Sequence, residues 1–118
     1  MIRFPQFLIA KLWTGEYGDP AKEAEFRWLH AYSPYHRAKD GVAYPATFFL
    51  TAEADSRVDP MHARKMAARL QEATSGSAPI LLRVETKAGH GAGKPVSKRV
   101  EEHTDVFSFL FEQLGMKL

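Results

Sequence analysis

Two residues that could exchange a proton, Asp55 and His90, each follow a short apolar run of the sequence. His90 stands between Gly89 and Gly91, and glycines allow backbone conformations that leave an imidazole accessible at a loop tip. An imidazole titrates near neutral pH and can accept and return a proton, and a carboxylate can hold it in one tautomer. An acid after one strand and a histidine after the next match the end of the chain order Ser…Asp…His.

Each of these residues also has an ordinary interpretation. His90 could be a surface histidine, and Asp55 could be a loop carboxylate that competes with Glu53 and Asp59 for the role of the acid. Asp59 precedes Pro60 and is better suited to opening a helix. The sequence contains no Gly-x-Ser-x-Gly motif, so we expect this chain to carry an acid and a base without their nucleophile.

Length and composition limit the possible classes of protein. A chain of 118 residues predicts a single domain. Its 16 basic and 14 acidic residues give a net charge of +2, too small and too dispersed to predict a nucleic acid or a membrane as partner. The absence of cysteine excludes disulfides and thiolate chemistry, and the spacing of the other histidines predicts no metal site. No apolar run approaches the roughly 20 residues of a membrane span, and the first residues lack the apolar region of a signal peptide. The expected location is the cytoplasm.

The apolar runs 45–51 and 80–84 predict two short strands with a helix between them and another after them. This order predicts the α/β class, with parallel strands joined by crossover helices. Two strands leave both sheet edges open, so we expect the sheet to be incomplete on its own. Missing strands or a second copy of the chain would complete it.

Periodicity predicts four helical segments, at 5–13, from Pro20 to residue 31, from Asp59-Pro60 to near residue 76, and from Val96 to a stop at Gly115. In the second helix Ala24, Trp28 and Ala31 share one side, and in the third the inward stripe is Met66, Ala67 and Leu70. The stripe of the last helix is Val96, Val100, His103, Phe107, Leu110 and Leu114. The apolar side chains Phe107, Leu110 and Phe111 are expected to lack enough covering structure in this chain.

Longer segments add a more specific similarity. They are Leu12-Trp13-Thr14, Tyr17-Gly18, Tyr32-Ser33-Pro34, residues 50–60, and the Thr-Lys-Ala-Gly-His-Gly-Ala-Gly-Lys-Pro run of residues 86–95. Together they resemble the prolyl oligopeptidase family of serine peptidases over nearly the whole chain. The resemblance implies that residues 1–118 form the C-terminal portion of an α/β-hydrolase catalytic domain, without the family's nucleophile region and β-propeller.

The same resemblance implies roles for individual residues. Asp55 would be the triad acid and His90 the triad base. Trp13 would stack on the substrate proline ring, and Arg57 would contact the carbonyl before that proline. The other pocket residues that the resemblance implies are Tyr17 and Val58. Without it, Trp13 would be assigned to the core and Arg57 to the solvated surface.

The expected function is the acid, base and proline pocket of an endopeptidase that cleaves peptides after proline, with no cofactor. The 118-residue chain alone is expected to be inactive and to self-associate. One alternative is a non-catalytic protein that persists as a dimer through its uncovered faces. Another is a different α/β-hydrolase peptidase or an esterase, against which Trp13 and Arg57 favour proline specificity.

Overall fold

The structure, a computed structural model, describes residues 1–86, 88–90 and 94–117. Its elements in chain order are two 3₁₀ segments, Phe4–Gln6 and Leu8–Trp13, then α1 (Thr14–Tyr17), α2 (Glu23–Tyr32), α3 (Pro34–Arg37), β1 (Thr47–Ala52), α4 (Met61–Ala73), β2 (Ile80–Glu85) and α5 (Val96–Leu114). The sequence motif around His90 extends over Lys87 and residues 91–93, which lie outside the described residues.

The two strands pair in parallel, and α4 connects them and packs against both. The register runs from Thr47 opposite Ile80 to Ala52 opposite Glu85, so the carboxyl ends of both strands lie at the same edge. This arrangement confirms the predicted α/β class, and within the described residues the sheet has these two strands.

Helix α4 begins as the sequence predicts. The Asp59 carboxylate accepts a hydrogen bond from the backbone N–H of Met61 at 2.8 Å, which satisfies a donor that the first helical turn leaves free. Ala67 and Leu70 are buried and Met66 is half-buried, so the predicted inward face of this helix is confirmed.

The N-terminal half departs from the prediction. The expected helix at 5–13 is two 3₁₀ segments separated by extended backbone at Phe7. Helix α2 begins at Glu23 because Asp19 and Pro20 form a turn, in which the Asp19 N–H donates to the Glu25 carboxylate at 2.5 Å. Ala24, Trp28 and Ala31, which share one side of the helix, are exposed, and the buried residue of this helix is Leu29.

Helix α5 has its expected bounds and ends at Gly115, which adopts the left-handed conformation with φ +63°. Its predicted inward stripe is not covered in this chain, and the exposure of Phe107 and Leu110 agrees with the expectation that these residues lack covering structure. Val100 and Phe107 are 58% and 56% exposed, and the remaining members of the predicted stripe are exposed as well. The half-buried side chain that meets the sheet is Phe109, whose ring lies 5.2 Å from that of Phe48. Apolar residues occupy two faces of this helix, and periodicity cannot tell which face a neighbour covers.

None of the helices in residues 1–86, 88–90 and 94–117 is sufficiently long and apolar to cross a membrane.

The exposed stripe of α5 predicts self-association of the 118-residue chain, because contiguous apolar surface favours association. We expect light scattering at micromolar concentration to give a mass above that of the monomer. Replacing Phe107 and Leu110 together by glutamate should shift the mass toward the monomer, whereas Ser108→Glu, which adds charge at an exposed polar position, should not. A single monomeric mass for the unaltered chain would contradict this prediction.

Candidate active site

The loops that follow the two strands continue side by side beyond the sheet. The Glu53 N–H donates to the Glu85 carbonyl at 2.9 Å, and the Ala54 N–H donates to the Ala88 carbonyl at 3.1 Å. A Cβ atom on Gly89 would lie 3.6 Å from the Ala54 carbonyl oxygen, which shows how closely the two backbones approach. Strand register thus brings the two loops together before any side chain takes part.

Asp55 and His90 are in direct contact at this edge. The distance between His90 Nδ1 and Asp55 Oδ2 is 2.7 Å. The other carboxylate oxygen, Oδ1, accepts hydrogen bonds from the backbone N–H groups of Arg57 at 2.9 Å and Val58 at 2.8 Å. Both carboxylate oxygens are therefore occupied, and the imidazole is held through Nδ1, which leaves Nε2 for proton exchange.

The electrostatics of the pair favour an ionised acid. The Asp55 side chain is 10% exposed, and this burial alone would raise its pKa. The hydrogen bonds from the Val58 N–H, the His90 ring and the Arg57 N–H outweigh burial and lower the pKa of Asp55 below its ordinary value. The His90 side chain is 44% exposed, so it is accessible to a reacting group.

A cavity of about 570 Å³ is lined by Arg57, Val58 and Asp59 of the loop that holds Asp55, whereas Asp55 and His90 do not line it. Trp13, Tyr17, Arg57 and Val58, the four residues expected to bind substrate, all line it. The structure therefore places two of the residues singled out from the sequence in a hydrogen-bonded pair and four around one cavity, and the loop that carries Asp55, Arg57 and Val58 connects the two groups. Further apolar lining comes from Phe4, Phe7, Met61 and Met66.

Trp13 lies between the buried core and the cavity. It packs against the buried cluster of Phe4, Ala10 and Leu29, and it also lines the cavity. Tyr17 meets Phe4 edge-on, with ring centroids 6.1 Å apart. The aromatic wall is thus supported from behind by the N-terminal core.

Two histidines on the cavity wall, His36 and His62, were not expected at the site. The His62 ring meets Phe7 edge-on at 5.2 Å, and burial lowers the pKa of His62 despite the opposing charge of Asp59. The position of His62 in the first turn after Asp59-Pro60 was the feature of the sequence that could have placed it beside the Asp55 loop. No cluster of three or more potential metal-ligating side chains occurs among the residues that the structure describes.

A carboxylate–histidine pair lies at the carboxyl edge of the parallel strands, which is the edge where α/β-hydrolases carry their acid and base. Comparison with known proteins identifies the family. A family model described as "Prolyl oligopeptidase family" matches residues 1–117. The chain therefore belongs to the prolyl oligopeptidase family, which is a family of peptidases.

Individual relatives agree with this assignment. Prolyl oligopeptidase A of Amanita bisporigera is 41% identical over 117 residues, 98% of this chain and 15% of that protein. Prolyl endopeptidase of Elizabethkingia meningoseptica is 40% identical over 118 residues, 99% of this chain and 17% of that protein. A solved prolyl endopeptidase structure superposes with a TM-score of 0.95 at 44% identity, covering 99% of this chain and 17% of that one. The chain thus spans about a sixth of the length of these relatives.

The lowered pKa of Asp55 predicts a pH-dependent contribution to folding. A carboxylate whose pKa is depressed by folding stabilises the fold at pH values above its unfolded pKa, ordinarily 3.8, and this stabilisation is lost as the pH falls through the lower folded value. We expect the difference in unfolding free energy between the native chain and Asp55→Asn to be largest near neutral pH and to shrink below about pH 4. In denaturant titrations, Ser56→Ala should give a difference that does not vary with pH. A constant difference for Asp55→Asn would show that its carboxylate is not stabilised by folding.

Proposed function

We propose that this chain supplies the acid, the base and the proline pocket of a serine endopeptidase that cleaves peptides on the carboxyl side of proline. The observation that carries the proposal is the loop 53–59. The same loop holds the carboxylate at 2.7 Å from His90 and presents Arg57 and Val58 to the apolar cavity. Proton transfer and substrate binding are thereby joined in one short segment.

In the proposed mechanism, a serine outside these 118 residues attacks the peptide carbonyl while His90 Nε2 takes the hydroxyl proton. Asp55 keeps the imidazole in the required tautomer and stabilises the imidazolium. His90 then gives the proton to the leaving amine, and the acyl group remains on the serine as an ester. Water hydrolyses this ester with His90 again acting as the base.

Specificity for proline follows from the chemistry of the cavity wall. The indole of Trp13 offers a flat apolar surface to a proline ring, and its support by the buried cluster reduces the entropy lost on binding. The Arg57 guanidinium, whose side chain starts two residues from the acid, can donate to the carbonyl before the proline. The names of the relatives, prolyl endopeptidase and prolyl oligopeptidase, support the same substrate class.

The first test uses the 118-residue chain itself. We expect no triad-dependent hydrolysis of a proline-containing reporter peptide, because its sequence has no nucleophile motif for His90 to activate. Turnover measured by reporter release should be the same for the chain and for His90→Ala. Turnover that disappears in His90→Ala would contradict the proposal that the nucleophile lies elsewhere.

The second test uses a chimera in which this chain replaces the matching segment of the Elizabethkingia meningoseptica enzyme. Asp55→Asn and His90→Ala should lower kcat by about 10³- to 10⁴-fold on every substrate, because both act on a common proton transfer. Trp13→Ala should cost about 1–3 kcal/mol of transition-state binding with proline before the cleaved bond, and less with alanine there. Arg57→Ala should weaken only peptides long enough to present the contacted carbonyl.

The matched control is Trp28→Ala, since Trp28 is 57% exposed on α2 and does not line the cavity. It should leave kcat/KM unchanged on both substrates. If Trp13→Ala lowered kcat/KM equally for proline and alanine substrates, Trp13 would be a packing residue and proline specificity would lose its basis.

A further inference from the structure

An ion network lies between β2 and the N-terminal half of α5. Arg83 and Glu85 project from one face of the strand, and the other members are spaced so that they share one face of the helix and the residues before it. The network consists of Arg83, Glu85, Lys94, Lys98, Glu102 and Asp105.

Each charge in the network has an opposite partner. Glu85 pairs with Arg83 at 2.8 Å and with Lys98 at 3.2 Å. Arg83 also donates to Asp105 at 2.6 Å. Lys94 donates to Glu102, whose carboxylate lies 3.9 Å from Arg83 as well. The pairs therefore form one connected chain from the strand to the segment after His90.

This network is costly to bury. The side chains of Glu85, Lys94 and Arg83 are only 3%, 13% and 15% exposed. The hydrogen bond from Arg83 is the leading cause of the lowered pKa of Glu85, so the carboxylate stays charged. Buried ion pairs seldom stabilise a fold more than apolar residues of the same size would, because desolvation offsets their attraction. Such a network can instead fix the positions of the segments that it joins.

The side chain whose position the network could fix is His90. Its side chain is 44% exposed, so packing does not fix its position, and its side-chain hydrogen bond among the described residues is to Asp55. Before His90, the carbonyls of Glu85 and Ala88 accept hydrogen bonds from the Glu53 and Ala54 N–H groups. Four residues after it, Lys94 is bonded to α5.

We infer that the Lys94–Glu102 ion pair is a positioning device that holds Lys94, four residues after His90, against α5 and thereby helps to set His90 against Asp55. Lys94 precedes the first residue of α5, Val96, so its pair with Glu102 is not required to attach the helix. Arg83 with Asp105, and Phe48 with Phe109, provide that attachment. The consequence for catalysis rests on the proposed function, but the effect on His90 can be measured without it.

The test is the tautomer of His90 in the 118-residue chain, obtained from the ¹⁵N shifts of its ring at about pH 8.5, where free histidine is neutral. In the native chain, we expect the tautomer with the proton on Nδ1 to dominate. Lys94→Met, which keeps the length of the side chain and leaves Glu102 beside Arg83, should move the ratio toward that of free histidine. Lys94→Arg, which keeps the charge, should keep the tautomer ratio of the native chain.

Two controls separate positioning from a general loss of stability. Asp105→Asn weakens the attachment of α5 and should lower the unfolding free energy without changing the His90 tautomer. Arg99→Met removes an exposed charge that pairs with none of the described residues and should change neither. The inference is overturned if Lys94→Met leaves the native tautomer ratio unchanged, or if Asp105→Asn changes it equally.

In the active chimera, Lys94→Met should lower kcat by about tenfold with little change in KM, because Lys94 does not line the proposed substrate cavity. A tautomer shift with an inactive chimera would count against the proposed function and leave the positioning device in place. If the chimera is active and Lys94→Met leaves the His90 tautomer unchanged, the result would support the proposed function and overturn the positioning device.

Discussion

Parallel pairing of β1 and β2 is the constraint on which the candidate site depends. Ala52 opposite Glu85 makes both strands end at one edge, and two further backbone hydrogen bonds carry the pairing into the loops. A one-residue slip would turn every side chain of a strand to the other face. Asp55 and His90 are 35 residues apart in sequence, and it is this register that reduces their separation to a hydrogen bond.

The loop after β1 contributes to the acid–base pair, to the cavity wall and to the start of the next helix. Asp55 holds the imidazole, and the backbone N–H groups that hold Asp55 belong to Arg57 and Val58, whose side chains line the cavity. Asp59 then opens α4, which packs against both strands. A change in the loop that displaced the acid would therefore also displace the proposed substrate contacts and the start of the helix.

Local patterns in the sequence predicted the elements that surround this loop, and they failed where burial depends on distant contacts. The strands, α4 and the bounds of α5 follow from short apolar runs, a helix-opening Asp-Pro pair and a terminal glycine. The inward faces of α2 and α5 could not be predicted, since each helix carries apolar residues on more than one face. Trp13 was ambiguous because packing and cavity lining need the same apolar surface. His62 was missed because its place on the wall depends on Phe7, more than 50 residues away.

The central claim is that the cavity against the loop that holds Asp55 accepts a proline ring on Trp13. The most direct measurement is an NMR titration of the two tryptophan indole protons of this chain with a blocked proline-containing peptide and with the same peptide carrying alanine. Trp13 lines the cavity and Trp28 is exposed elsewhere, so one chain holds both probe and control. The account predicts that the proline peptide shifts the Trp13 resonance more than the alanine peptide does, while Trp28 stays unchanged. Equal shifts with both peptides, or a response confined to Trp28, would contradict it.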